Sequence, residues 1–149
     1  TGMKVRSEDH AGWRSLKSIR EREEGMDTHF RYEWVRFSGT AECVEAAVRF
    51  PRDSDWFSGH FPGHPIVPGI ALIAMVQEAV TTWERNQGRS VTIMGVRRVR
   101  FRLPVRPDDE VELEVKKSSG REEPSYAFTI SLRGEAVCSG VLRVGTKIP

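Results

Sequence analysis

The sequence predicts a single α+β domain in which a curved antiparallel sheet wraps one central buried helix, and three observations carry that expectation. Residues Ile70-Ala71-Leu72-Ile73-Ala74-Met75-Val76 are apolar on every side of a helical turn, as expected of a helix enclosed all round. Stretches rich in β-branched and aromatic residues precede and follow that segment, separated by short turns. With 149 residues, 38% hydrophobic and 30% charged, the chain has the size and composition of one soluble globular domain. One helix followed by a run of strands is an α+β layer arrangement, although patterning alone permits several folds of that class.

Residues 1–25 stand apart from the domain at 26–149. They are dominated by charge, notably Arg20-Glu21-Arg22-Glu23-Glu24, with only Trp13, Leu16 and Ile19 at helical spacing, so a short helix and a disordered arm are both open. Phe30, Tyr32, Trp34 and Arg36 then alternate with His29, Arg31, Glu33 and Val35, and Thr40 to Phe50 continues in β-branched and small residues. Two strands joined at Ser38-Gly39 follow from that pattern. Pro68 suits the first helical position, and Gly88 marks a stop, which gives a helix from Gly69 to about Asn86, ~27 Å long at ~1.5 Å per residue. Four strands complete the chain, at Val91–Val105, Glu110–Lys117, Ser125–Arg133 and Ala136–Val144, with turns at Ser118-Ser119-Gly120 and Arg133-Gly134-Glu135.

Composition excludes several function classes. A formal net charge of +2 is too small to argue for nucleic acid, and no finger or ribonucleoprotein motif is present. Cys43 and Cys138 are too few and too distant for a disulfide framework or a metal motif. No membrane-length apolar run or signal-peptide core occurs, so reduced thiols in a cytoplasmic protein, with no membrane partner, are the expectation.

The chemistry concentrates in Gly59-His60-Phe61-Pro62-Gly63-His64-Pro65-Ile66-Val67-Pro68-Gly69. Three prolines stiffen this loop, so an imidazole held there loses little entropy on taking up a working geometry. The loop runs directly into the apolar helix. Gly69 has a free N–H and no side chain to block a ligand, which places a histidine base beside a helix N-terminus able to bind a developing oxyanion.

This segment resembles the HFPGxPxxPG signature of the beta-hydroxyacyl-acyl carrier protein dehydratases of the FabA/FabZ type, which have the hot-dog fold. Downstream, Gly95-Val96-Arg97-Arg98-Val99-Arg100-Phe101-Arg102-Leu103-Pro104-Val105-Arg106-Pro107-Asp108-Asp109 is similar to the family's second stretch, a basic strand before a PV-x-PGD turn, with Asp108 where the family has glycine. The likeness runs from about Asp55 to the C-terminus; the family's N-terminal Pro-His-Arg-Tyr-Pro loop has no match. One departure outweighs the matches: the family's catalytic Glu or Asp lies fourteen residues after the histidine, and that position here is Ala74. The resemblance implies a homodimer with sites built from both chains, or a trimer of dimers, acting on acyl groups carried by acyl carrier protein. It also implies no cofactor.

On this basis the expected reaction is dehydration of a (3R)-hydroxyacyl thioester to a trans-2-enoyl thioester. His60 would take the C2 proton and the Gly69 N–H would hold the thioester carbonyl. Phe61, Pro62, Gly63, Val67, Pro68, Ile70 and Gln77 are the expected substrate-binding positions. Glu78 lies four residues beyond Ala74, one turn along nearly the same face and roughly 6 Å deeper, so it is the candidate acid; the plainer alternative is a glutamate emerging into solvent or an ion pair. Gln77 can hydrogen-bond substrate but cannot act as a general acid. His64 is a variable loop position, and with no third ligand near His60 and His64 no metal is expected. Period two puts Arg98, Arg100 and Arg102 on one face and Val99, Phe101 and Leu103 on the core face. Arg97, Arg98, Arg100 and Arg102 form the candidate docking patch for an acidic carrier protein, against the ordinary alternative of a solvated sheet face. Two other functions remain open: a non-catalytic acyl-thioester binding protein, and a hot-dog thioesterase.

Overall fold

The computed structural model describes residues 32–53, 66–118 and 124–146, so the arm expected at 1–25 lies outside it. Strands β1 (Glu33–Gly39) and β2 (Cys43–Arg49) come first, then helix α1 (Gly69–Asn86), then β3 (Val91–Phe101), β4 (Glu110–Ser118), β5 (Ser125–Leu132) and β6 (Glu135–Thr146). They form a six-stranded sheet among the described residues, in the order β1-β2-β4-β5-β6-β3. All its pairings are antiparallel. Among the described residues β1 and β3 are the two edges, and β3 reaches its edge place by pairing with β6.

Alternation decides which face meets the helix. Val44, Ala46 and Val48 of β2, Val111, Leu113 and Val115 of β4, and Tyr126, Phe128 and Ile130 of β5 all belong to one buried cluster. Ala71, Leu72, Met75, Val76, Ala79, Val80 and Trp83 supply the helix side of it. Gly39 is required where β1 passes the helix, because a Cβ there would stand 2.9 Å from Val44 Cγ2 and 3.0 Å from Trp83 Nε1. The indole nitrogen of Trp83 donates to Thr40 O at 2.8 Å, tying the β1–β2 turn to the helix.

Three expectations need correction. The helix is not enclosed all round: Ile70 is 76% exposed and Ala74 is exposed as well. The sheet of one chain covers a single side of the helix, so the outward stripe at its start stays uncovered. Phe101 and Leu103 do not point into the core, being 56% and 39% exposed. The cause is a β-bulge: Arg97 pairs with Val141 but Arg100 pairs with Ser139, which inserts one extra residue and breaks the period of two. Arg98 takes φ 57° at this bulge. Finally, Pro68 is the N-cap, with ψ 147°, and Gly69 is the first helical residue.

The Pro107-Asp108-Asp109 turn explains its own departure from Pro-Gly-Asp. Asp108 has φ 69°, a left-handed conformation that suits glycine, and Asp is among the residues that tolerate it best. In return its carboxylate accepts hydrogen bonds from Arg49 Nη1, from the Arg52 N–H and from Arg52 Nε, each at 3.1 Å. Its own N–H donates to Phe50 O at 2.7 Å, so the turn closes on the end of β2.

The far end of α1 is fixed by a buried charge. Glu84 is inaccessible to solvent, and its carboxylate receives the Tyr126 hydroxyl, Arg89 Nε at 2.9 Å and Lys117 Nζ at 2.8 Å. Burial pushes the carboxyl up, but the hydrogen bonds from Lys117, Tyr126 and Arg89 outweigh it and hold Glu84 below its ordinary value. The Tyr126 hydroxyl is pushed well above its usual range by burial and by the same carboxylate. A carboxyl depressed on folding adds stability that is complete above its unfolded value of 4.5 and disappears as pH falls through the lower folded value. We therefore expect acid unfolding to set in below pH 4.5, and Glu84→Ala, which strands Lys117 and Tyr126, to cost about 3–5 kcal/mol in urea melts at neutral pH. The variant should lose most of the wild-type slope of stability against pH in the acid range.

Candidate active site

The site is built where the chain enters α1. The Val67 N–H donates to Val105 O at 2.8 Å, which binds the incoming segment to the stretch after β3. Val67 is buried. Pro68 O then accepts from the Ala71 N–H at 3.0 Å and the Leu72 N–H at 3.4 Å. Pro68 offers no side-chain cap, and the first turn holds no acidic residue. The N–H groups of Gly69 and Ile70 consequently have no acceptor within the helix, and the positive end of the helix dipole lies there.

Phe101, expected in the core, covers this helix start instead. A Cβ on Gly69 would lie 2.7 Å from Phe101 Cζ and 2.9 Å from Cε1, so only glycine lets the ring rest there. Sequence reasoning missed this contact because the bulge in β3 is what redirects Phe101. A glycine placed before an apolar helix marks a close approach, but not by what.

Further along the helix, Glu78 is half-buried and accepts a hydrogen bond from the Tyr32 hydroxyl. The expectation of a glutamate standing free in solvent is not met. Ala74, one turn earlier, is exposed, and Ile70 precedes it by a further turn on the same stripe. Gln77 is half-buried, and its backbone carbonyl accepts from Thr81 Oγ1 at 3.1 Å. Tyr32 was not singled out from the sequence. It lies forty-six positions from Glu78, and no local pattern signals such a pairing.

His60, Phe61, Pro62, Gly63 and His64 lie outside the described residues. Arg97, Arg98, Arg100 and Arg102 are all exposed, the first three on edge strand β3 and the last just beyond it. On the opposite face of the sheet, Cys43, Glu45 and Glu114 bring their polar atoms within 4.8 Å of one another, Glu45 standing directly across from Glu114. Burial and the two carboxylates raise the Cys43 thiol, so it stays protonated at neutral pH. Cys138, buried, is pushed up to about 11. Neither cysteine is in a disulfide. Among the described residues no helix is long and apolar enough to cross a membrane.

Among the described residues, one helix packed on one face of a six-stranded antiparallel sheet, entered through a Pro-Gly step, fits a hot-dog domain. The comparisons with known proteins agree. The model of the ApeI-like family, described as ApeI dehydratase, matches residues 36–141, and this chain belongs to that family. It is 38% identical over 123 residues to a FabZ 3-hydroxyacyl-[acyl-carrier-protein] dehydratase of Paramagnetospirillum magneticum, covering 75% of this chain and 73% of that protein. The FabZ dehydratase of Roseiflexus castenholzii is 34% identical over 92 residues, 58% of this chain, and the match spans just 64% of that relative's length. Among solved structures, the dehydratase heterocomplex ApeI:P of Xenorhabdus doucetiae superimposes with a TM-score of 0.64 at 18% identity, covering 77% of this chain and 98% of that one, a likeness of fold.

The Gly69 geometry carries a prediction. In Gly69→Ala the new methyl group displaces a ring that is more than half exposed and free to turn, so the melting temperature should move by no more than a few degrees. The same methyl narrows the approach to the N–H groups at the helix start, so affinity for an acyl thioester, measured by calorimetry, should fall at least ~10-fold.

Proposed function

We propose that this chain dehydrates a (3R)-hydroxyacyl thioester to the trans-2-enoyl thioester. The observation that carries the reading is the half-buried carboxylate of Glu78, one turn beyond Ala74 on a helix whose start has no side-chain cap, within a chain of dehydratase family. In this reading His60 removes the C2 proton, and the Gly69 N–H stabilises charge building on the thioester oxygen. Glu78 gives its proton to the departing C3 hydroxyl. Val67, Pro68, Ile70 and Gln77, with Phe61, Pro62 and Gly63, shape the passage for the acyl chain. No cofactor takes part. The carrier is acyl carrier protein, as in the names of the FabZ relatives, and fatty-acid biosynthesis in the cytoplasm is the setting. Arg97, Arg98, Arg100 and Arg102 attract the acidic carrier, an effect that salt weakens.

Assembly belongs to the same reading. Edge strand β3 and the start of α1 leave Ile70, Met94, Phe101 and Leu103 substantially exposed, and an unpaired strand edge beside apolar side chains favours pairing with another chain. We propose a homodimer joined there. Light scattering at micromolar concentration should give twice the chain mass or a multiple of it. An active monomer would rule the arrangement out.

A second reading, a non-catalytic acyl-thioester binder, is favoured by the alanine at position 74. One set of assays separates the two: turnover of hydroxyacyl-carrier-protein to the enoyl product by wild type, His60→Ala, Glu78→Gln and Ala74→Glu. Dehydration lost in His60→Ala, and reduced about 10²–10⁴-fold in Glu78→Gln with thioester affinity retained, is the result expected of an enzyme. Inactive wild type with activity created by Ala74→Glu would instead identify the binder. Release of free carrier thiol would identify a thioesterase.

A further inference from the structure

We infer that Tyr32 is a positioning residue for the proton donor, holding the Glu78 carboxylate and stabilising it as it loses its proton. The inference rests on the reading of Glu78 as the acid. Tyr32 stands immediately before β1, is only 7% exposed, and directs its hydroxyl at Glu78 Oε1. Its ring has little freedom. Trp34 packs edge-on against it with centroids 5.9 Å apart and planes at 78°, and Phe50 packs at 5.8 Å and 54°. Phe50 is itself fixed, because its carbonyl accepts the Asp108 N–H at 2.7 Å. A continuous packed path thus runs from the 107–109 turn through Phe50 to Tyr32 and ends at the helix carboxylate.

The chemistry gives that contact a direction. During dehydration the C2–H bond breaks and its proton passes to His60, the C2=C3 double bond forms, and the C3–O bond breaks as the Glu78 proton joins the leaving hydroxyl to make water. Tyr32 keeps its own proton throughout. Glu78 changes from neutral acid to anion in that step, and a hydrogen bond from an O–H donor to an ionised carboxylate is stronger than one to the neutral acid. The Tyr32 contact therefore tightens as the reaction proceeds, which lowers the barrier and leaves substrate binding nearly unchanged. The phenol need not touch the substrate.

The test is Tyr32→Phe, which keeps the ring and its contacts with Trp34 and Phe50, assayed beside Glu78→Gln and the double variant on a hydroxyacyl-carrier-protein thioester. The expected result is a kcat about 10-fold lower for Tyr32→Phe with KM within about twofold, and a double variant no slower than Glu78→Gln alone. A Tyr32→Phe enzyme with wild-type kcat, while Glu78→Gln is disabled, overturns the role of Tyr32 and leaves Glu78 as the acid. Losses that multiply in the double variant also overturn it, since Tyr32 would then act through something other than Glu78. A silent Glu78→Gln removes the acid assignment and this inference with it.

Discussion

Glu84 has no contact with solvent, yet it is ionised, and the position of the helix follows from that. An isolated buried carboxylate would cost several kcal/mol or take up a proton. Here Lys117 at the end of β4, Tyr126 at the start of β5 and Arg89 just past α1 converge on it. Those partners come from three separate parts of the chain, so the C-terminal end of the helix can satisfy its charge in one place only. The helix is stiff, and its start is consequently set ~22 Å away, next to where Val67 pairs with Val105. The geometry of the candidate site at the N-terminus thus depends on a charge cluster at the opposite end.

Much of this was legible in the sequence because the signals are local. The helix bounds, Gly69 to Asn86, follow from a Pro-Gly start, an apolar run and a terminal glycine, and the structure reproduces them. The strands after it emerge within a few residues of their expected limits, since β-branched alternation and Gly turns bracket each one. What failed was anything set by a distant partner. Nothing around Arg98 announces a bulge; across from it Gly140 on β6 packs closely, a Cβ there meeting Phe128 Cζ at 2.8 Å and Val99 Cγ2 at 3.2 Å. The extra residue then sends Phe101 to the helix start. The apparent all-round burial of the helix failed for a similar reason, because one chain contributes only one sheet.

The candidate site was legible to a different degree. Its backbone parts, the Pro-Gly step and the N–H groups of the first helical turn, are written in a contiguous motif. Its side-chain part is not: Tyr32 meets Glu78 only through the closure of β1 over the helix. A motif can therefore identify the oxyanion end of such a site while leaving open how its acid is held.

Moving an acid by one helical turn changes more than its position. A carboxylate at position 74 would begin near the helix mouth, whereas one at position 78 starts roughly 6 Å deeper, beyond the length that a glutamate side chain can recover by choosing another rotamer. Glu78 can serve the departing hydroxyl only if the acyl chain sits deeper beside the helix, or if a water carries the proton. The first option is consistent with Ala74, whose small side chain leaves room along the stripe that a glutamate would occupy. In the reading proposed for Glu78, alanine at 74 and glutamate at 78 belong together: the small side chain near the mouth would leave open the way to the carboxylate that Tyr32 contacts.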